Sequence, residues 1–163
     1  MTKVMLSLHV LAAIVAVGSI TAAASMFPRY ALQASGGRGR DRGRGPDGRA
    51  AAIAGLLHRI CRGYAAAGLA VPALGVATGA LLGVLTDVWL IASLVLTVIA
   101  AAILALAILP GQQRLLALAE DAAAEGEPRP AAARLTMLTG VFNLLWAAVV
   151  VLMIVRPGST TGA

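Results

Sequence analysis

The sequence feature that most constrains the fold is the uncharged stretch at residues 63–85. Its 23 residues include no Lys, Arg, Asp or Glu, and at about 1.5 Å per residue a helix of this length crosses the roughly 30 Å hydrocarbon core of a bilayer. Gly75, Gly79 and Gly83 recur every fourth residue within it. Such a glycine ladder lets a neighbouring helix approach closely. We therefore predict a membrane span that forms the hub of a helix bundle.

Three further apolar runs have the length of a membrane span, at residues 5–26, 88–109 and 135–155. They account for a hydrophobic content of 60% and a mean hydropathy of +0.88, well above the roughly 45 to 50% apolar content of a soluble domain. The sequence therefore predicts an all-α fold, a four-helix transmembrane bundle that occupies residues 1–163 as a single integral membrane domain.

The basic residues predict the orientation of these spans. Of the 13 Lys and Arg residues, all except Lys3 and Arg156 lie between spans one and two or between spans three and four. Lys and Arg are enriched in cytoplasmic loops, so both termini are expected outside. The expected location is the bacterial inner (cytoplasmic) membrane, as a multi-pass protein whose first partner is the lipid bilayer.

The Arg- and Gly-rich segment at residues 35–49 predicts a flexible cytoplasmic loop, because its composition offers nothing that could form a core. Arg-Gly segments also occur in RNA-binding proteins. Here, however, the arginines adjoin membrane spans, where they set topology and contact anionic lipid. We therefore expect no nucleic-acid partner.

Prolines and helix formers suggest the ends of the elements. Pro72 is expected to bend the second span because it cannot donate to the carbonyl of Gly68. Pro110 and Gly111 are expected to close the third span. Residues 50–62 predict a short helical lead-in to the second span, and residues 111–126 predict a short surface helix in the second cytoplasmic loop.

His9 is the candidate site residue. It begins a stripe of small residues that share one face of the first span, namely Ala12, Ala16, Ser19 and Ala23. That face is suited to helix packing, so His9 is predicted to point into the bundle. Counting residues from the outer edge of each span puts Asp87 and Ser93 at a similar depth, and these two are its expected partners. The alternatives are a structural hydrogen bond and a haem, metal or proton site.

Other polar residues have expected structural roles. Asn143 is predicted to form a hydrogen bond between helices, and His58 to lie at the cytoplasmic interface. Cys61 is the only cysteine and is expected to stay a reduced thiol. Trp89 suits the outer aromatic belt. The acidic residues of the second cytoplasmic loop predict a solvated face; they are Glu120, Asp121, Glu125 and Glu127.

Known catalytic sequence patterns are missing from the chain. It has no CxxC, HExxH, Walker A loop or nucleophile elbow, and its predicted spans contain no Lys, Arg, Asp or Glu that could relay protons or ions. Hydrolytic and nucleotide chemistry of the kind found in soluble enzymes is therefore disfavoured. Enzymatic activity is left open, with a non-enzymatic role favoured.

Residues 8–20, LHVLAAIVAVGSI, resemble the first helix of a group of small bacterial integral membrane proteins. The group includes a four-helix family of unknown function, which is the closer match, and more distantly the copper-resistance D proteins and the membrane-bound protoporphyrinogen oxidase. The resemblance matches His9 to the first-helix histidine of these proteins, which ligates haem in the oxidase, and Gly18 to the glycine that follows it. The third span has no lysine, unlike that of the oxidase.

Three functional hypotheses follow. The first is a non-enzymatic membrane protein that acts by helix association, either as a homo-oligomer or within a larger membrane complex. The second is a haem- or copper-linked redox or cofactor-handling protein that uses His9 as its ligand, although no cofactor is predicted from the residues alone. The third is a small transporter gated at Pro72, which ranks last because its spans carry no charge.

Overall fold

A computed structural model of the chain describes residues 2–36, 46–120 and 127–158. The described elements are all helical and follow one another as α1 (Thr2–Gly36), α2 (Pro46–Ala67), α3 (Ala70–Leu82), α4 (Val88–Ile103), a π-helical segment (Leu104–Ile108), α5 (Leu109–Glu120) and α6 (Pro128–Val155). α2 and α3 together form one long helical rod, as do α4, the π segment and α5. The predicted all-α class is confirmed.

Four helical stretches are long and apolar enough to cross a membrane: Lys3–Ser35, Gly48–Leu82, Val88–Glu120 and Pro128–Val155. Each of these stretches contains all or nearly all of one predicted span. The protein is therefore a multi-pass membrane protein built as a four-helix bundle. Large aliphatic side chains stay exposed on its outside, among them Leu106 at 78% and Ile154 at 75%. Contact of such side chains with lipid tails is favourable, whereas their contact with water is not.

The helices extend well past the predicted inner ends of the spans. α1 is 35 residues long, roughly 52 Å at 1.5 Å per residue, against a hydrocarbon core of roughly 30 Å. We call the end of the bundle that carries Lys3, Asp87 and Arg156 the terminal end, and the opposite end the loop end. The additional turns all lie at the loop end.

The expectation that Pro110 and Gly111 close the third span is wrong. The helix continues through them to Glu120, and a π-helical segment, Leu104–Ile108, directly precedes Pro110. Proline lacks the N–H that an α-helix needs and its ring clashes with the preceding turn. Widening that turn accommodates the ring without ending the helix. Pro28 likewise lies inside α1.

The bend expected from Pro72 is present as a break between α2 and α3. Gly68 and Leu69 form a turn, and the Gly68 carbonyl accepts a 3.0 Å hydrogen bond from the N–H of Val71 instead of the one that Pro72 lacks. A Cβ added at Gly68 would lie 2.9 Å from the carbonyl oxygen of Tyr64. The break therefore depends on both the proline and the glycine.

α1, and not the second span, is the hub of the bundle, because it contacts α2, α3, α5 and α6. The main apolar core lies toward the loop end, where Phe27, Ala31, Cys61, Ile108 and Leu115 are all fully buried. At the terminal end the inward faces carry small and polar residues. The two halves of the bundle are therefore packed differently.

The two predicted loops are shorter than expected. Most of the segment 35–49 lies outside the described residues. Of its remaining residues, Ser35 still belongs to α1, and α2 already begins at Pro46. The lead-in at 50–62 is confirmed as helix and is continuous with the second span. The surface helix expected at 111–126 is instead the end of the third rod, and its Gln112, Leu115 and Leu118 are buried. Asp121 and Glu125 lie outside the described residues.

Candidate functional site

His9 points into the bundle, as predicted, and is 7% exposed. Its Nδ1–H donates a 2.9 Å hydrogen bond to the carbonyl oxygen of Val71 in α3. A carbonyl can only accept, so Nδ1 carries the proton and Nε2 keeps its lone pair in the neutral ring. The ring fits because α3 has no side chain at Gly75, where an added Cβ would lie 3.0 Å from His9 Cε1.

The expected partners of His9 are wrong. Asp87 accepts a 3.0 Å hydrogen bond from the indole N–H of Trp89, and the Ser93 hydroxyl donates to the carbonyl of Trp89 at 2.8 Å. His9 instead lies beside Val71 and Gly75 of α3. Counting gives depth along a helix but not the side on which each neighbour packs, and α3 rather than α4 lies beside α1.

The surroundings of His9 meet one requirement of a haem or copper ligand. A histidine whose Nδ1–H is held by a carbonyl presents Nε2 to a metal in a fixed orientation. Within the described residues, however, no three His, Cys, Asp or Glu side chains come together as a metal site. A haem iron can be held through a single protein histidine, whereas copper needs several ligands.

A second polar cluster lies at the loop end and joins α2 to α5. The Nδ1–H of His58 donates to Gln112 Oε1 at 2.9 Å, and Gln112 Nε2 donates to the sulfur of Cys61 at 3.5 Å. Gln112 and Cys61 are fully buried and His58 is 7% exposed. We call these three residues the loop-end polar cluster. His58 thus points inward and joins α2 to α5 through Gln112.

Gln112 was missed by sequence reasoning. Its neighbours Leu115 and Leu118 follow it at helical spacing and share its buried face. That periodicity was visible in the sequence and predicts a packed helix instead of a surface one. The glutamine then occupies a core position, where its amide must find both a donor and an acceptor.

Asn143 does join two helices, as predicted. Its Oδ1 accepts a 3.1 Å hydrogen bond from the hydroxyl of Thr21 in α1. Nearby on α6, Thr139 Oγ1 and Trp146 Nε1 are buried without a partner among the described residues. The Trp146 ring packs edge-on against Phe142 with centroids 6.3 Å apart.

At the terminal end, Trp89 is the centre of a small polar cap. Its N–H is bonded to Asp87, and the guanidinium of Arg156 lies 5.5 Å from its ring centroid. A cation over an indole face is an attractive contact. Trp89 is only 6% exposed. It therefore connects the start of α4 to the end of α6 and is more than an aromatic residue of the membrane surface.

The Gly75, Gly79 and Gly83 ladder is used inside the chain. Gly75 makes room for His9, and a Cβ at Gly79 would lie 2.9 Å from Leu90 Cδ2 in α4. Gly83 ends α3 in the left-handed conformation, with φ of 69°. Gly75 and Gly79 therefore pack the bundle internally, whereas Gly83 is exposed at the end of α3.

Comparisons of this chain with protein families, with curated proteins and with solved structures found no match.

Proposed function

We propose that this chain is a non-enzymatic protein of the bacterial cytoplasmic membrane that acts by associating with a second copy of itself. The bacterial assignment rests on the first-helix resemblance, and the orientation on the distribution of basic residues. Since Gly75 and Gly79 are used inside the chain, we place the association surface on another face. The observation that supports it is a pair of exposed glycines, Gly18 and Gly140, around which an added Cβ would meet no atom within 4 Å.

The two glycines lie on the same side of the molecule. α1 and α6 run in opposite directions and are joined by the bond from Thr21 to Asn143. At 100° per residue, Gly18 is rotated about 60° from Thr21, and Gly140 about 60° from Asn143. Because the helices are antiparallel, both rotations lead to the same outer surface.

This surface between α1 and α6 carries several small residues. On α1 it includes Gly18 and Ser25, and on α6 Gly140 and Ala147, all of which are exposed. We call these four residues the small-residue groove. Grooves of this kind allow helices in a bilayer to approach closely enough for van der Waals contact and interhelical hydrogen bonds.

The test is the oligomeric state of the full chain in liposomes, measured by single-molecule photobleaching. Wild-type protein is expected to show dimers, and Gly140→Leu is expected to shift the population toward monomers because the new side chain fills the groove. Ala102→Leu, an exposed position on α4, is the matched control and should dimerise like the wild type. A monomeric wild type, or equal dimerisation of Gly140→Leu, would contradict self-association.

A second candidate function is haem binding at His9. It is favoured by one observation, the bond from Nδ1–H to Val71 that leaves Nε2 as a metal ligand. The test is the visible absorbance of detergent-purified protein, oxidised and reduced, from cells supplied with haem. A haem band that disappears in His9→Ala and persists in His58→Ala would support this function. A spectrum without haem, or a band that His9→Ala retains, would contradict it.

A further inference from the structure

Two cavities adjoin each other on α2 at the loop end, and they differ in chemistry. One, of about 370 Å³, lies between α2 and α5 and includes His58, Arg59, Arg62 and Glu120 in its wall. The other, of about 400 Å³, is a largely open cavity on the surface of α2 alone; it is mostly apolar and is lined by Arg59, Ile60, Gly63, Tyr64 and Ala67. Arg59 lies at the junction of the two.

Arg59 and Arg62 have no partner within residues 2–36, 46–120 and 127–158. Arg59 and Arg62 are exposed, and neither makes an ion pair or hydrogen bond with another residue in the described part of the chain. Glu120 lines the same cavity from the last position of α5, which is its end farthest from the membrane-spanning part. A negatively charged ligand is therefore attracted to the arginine end of the cavity and repelled from the Glu120 end.

The depth of these cavities matches the boundary of a bilayer. α3 ends at Leu82, and about 20 residues of helix span the hydrocarbon core. Counting back from Leu82 puts Gly63 near the opposite edge of the core, with Arg59 and Arg62 within about one turn beyond it, at the level of lipid headgroups. The apolar cavity runs from Arg59 toward Ala67, into the hydrocarbon.

We propose that these two cavities form one site for an anionic phospholipid, with its phosphate at Arg59 and Arg62 and the start of an acyl chain in the apolar cavity. Guanidinium groups bind phosphate oxygens through paired N–H donors. Basic pockets between helices at the cytoplasmic surface are suited to lipid headgroups. Position 63 borders open space, since an added Cβ there would meet no atom within 4 Å.

The ring of His58 gives the phosphate end of the site a fixed wall. Its Nδ1–H is hydrogen-bonded to Gln112. The imidazole therefore cannot rotate into the cavity without breaking the loop-end polar cluster. The site is thus built on two packed helices and not on a loop. Free phosphate offers the same anionic oxygens, but it leaves the apolar cavity empty.

The test is native mass spectrometry of the delipidated full chain in detergent, titrated with phosphatidylglycerol, with phosphatidylcholine and with inorganic phosphate. Wild-type protein is expected to bind phosphatidylglycerol more tightly than phosphatidylcholine. The double variant Arg59→Gln and Arg62→Gln is expected to bind phosphatidylglycerol roughly thirty-fold more weakly, since each basic residue near an anionic surface contributes a factor of about five. The charge-matched control is Arg49→Gln with Arg129→Gln, two exposed arginines outside both cavities.

Gly63→Leu separates a lipid from free phosphate. It adds an apolar side chain to the apolar cavity and keeps both arginines, so it is expected to weaken phosphatidylglycerol binding while leaving the binding of inorganic phosphate unaffected. If Gly63→Leu binds the lipid like the wild type and inorganic phosphate displaces it, the ligand is a free phosphate and the lipid assignment is overturned. Equal binding of phosphatidylglycerol by the wild type and the arginine double variant would overturn the site itself.

Discussion

Three polar pairs inside this bundle form hydrogen bonds that cross between helices. His9 bonds to the backbone of α3, Thr21 bonds to Asn143, and His58 bonds to Gln112. In a bilayer, apolar side chains gain little by leaving lipid for the protein interior, so directional bonds and close packing set which helices are neighbours. The cost of a lost bond is large where the remaining partner stays buried.

Gln112→Ala should therefore destabilise the protein by about 2 kcal/mol, because it leaves both His58 and Cys61 buried without their partner. In a protein of this size that corresponds to a fall in Tm of about 4 to 8 °C, measurable by tryptophan fluorescence in detergent. Gln113→Ala is the matched control, since Gln113 is exposed, and its Tm should change by less than about 2 °C. Equal effects of the two substitutions would refute the role of the loop-end polar cluster.

The helices show that proline and glycine do not have the same effect here as in soluble proteins. Pro28 and Pro110 lie within continuous helices, whereas Pro72 accompanies a break because Gly68 precedes it by one turn. Within a bilayer a broken helix exposes backbone groups that have no water to bond, so a helix adjusts locally before it ends. The π segment before Pro110 is such an adjustment.

The contact of α3 with α4 gives a test of packing between elements. Gly79→Leu should lower stability by about 1 to 3 kcal/mol through overpacking, because even a Cβ at this position lies 2.9 Å from Leu90 and 3.2 Å from Leu85. Ala80→Leu, an exposed neighbour on the same helix, is the control. Thermal unfolding compares the two, and a Gly79→Leu protein as stable as Ala80→Leu would show that α3 and α4 are not closely packed.

The whole molecule is a membrane bundle whose four helices continue beyond one side of the bilayer. The basic residues concentrate at that loop end, and the terminal end carries only Lys3 and Arg156. Lys and Arg cross the inner membrane least readily, so the loop end is expected in the cytoplasm. The extended turns of α1 and α5 at the loop end pack around Phe27 and Leu115.

Labelling of single cysteines on whole cells tests this orientation. In a Cys61→Ala background, Thr86→Cys at the terminal end should react with a membrane-impermeant maleimide. Glu127→Cys at the loop end should react only after the cells are permeabilised. Both positions are exposed, so burial does not limit either reaction. The reverse pattern would invert the proposed topology and place the arginines outside.

The sequence by itself determined the class, the number of spans and their approximate positions. Each of these depends on the length and apolar character of one segment at a time, and the inward direction of His9 and the bonding role of Asn143 follow from helical periodicity in the same way. Only the tertiary structure decided that α1 is the hub, that His9 bonds to Val71, and that Gln112 joins His58 to Cys61. These pairings depend on which helices are neighbours and how far they are shifted along each other. An apolar helix face packs as favourably against lipid as against another helix. The apolar pattern of a single helix therefore does not determine which helices are its neighbours.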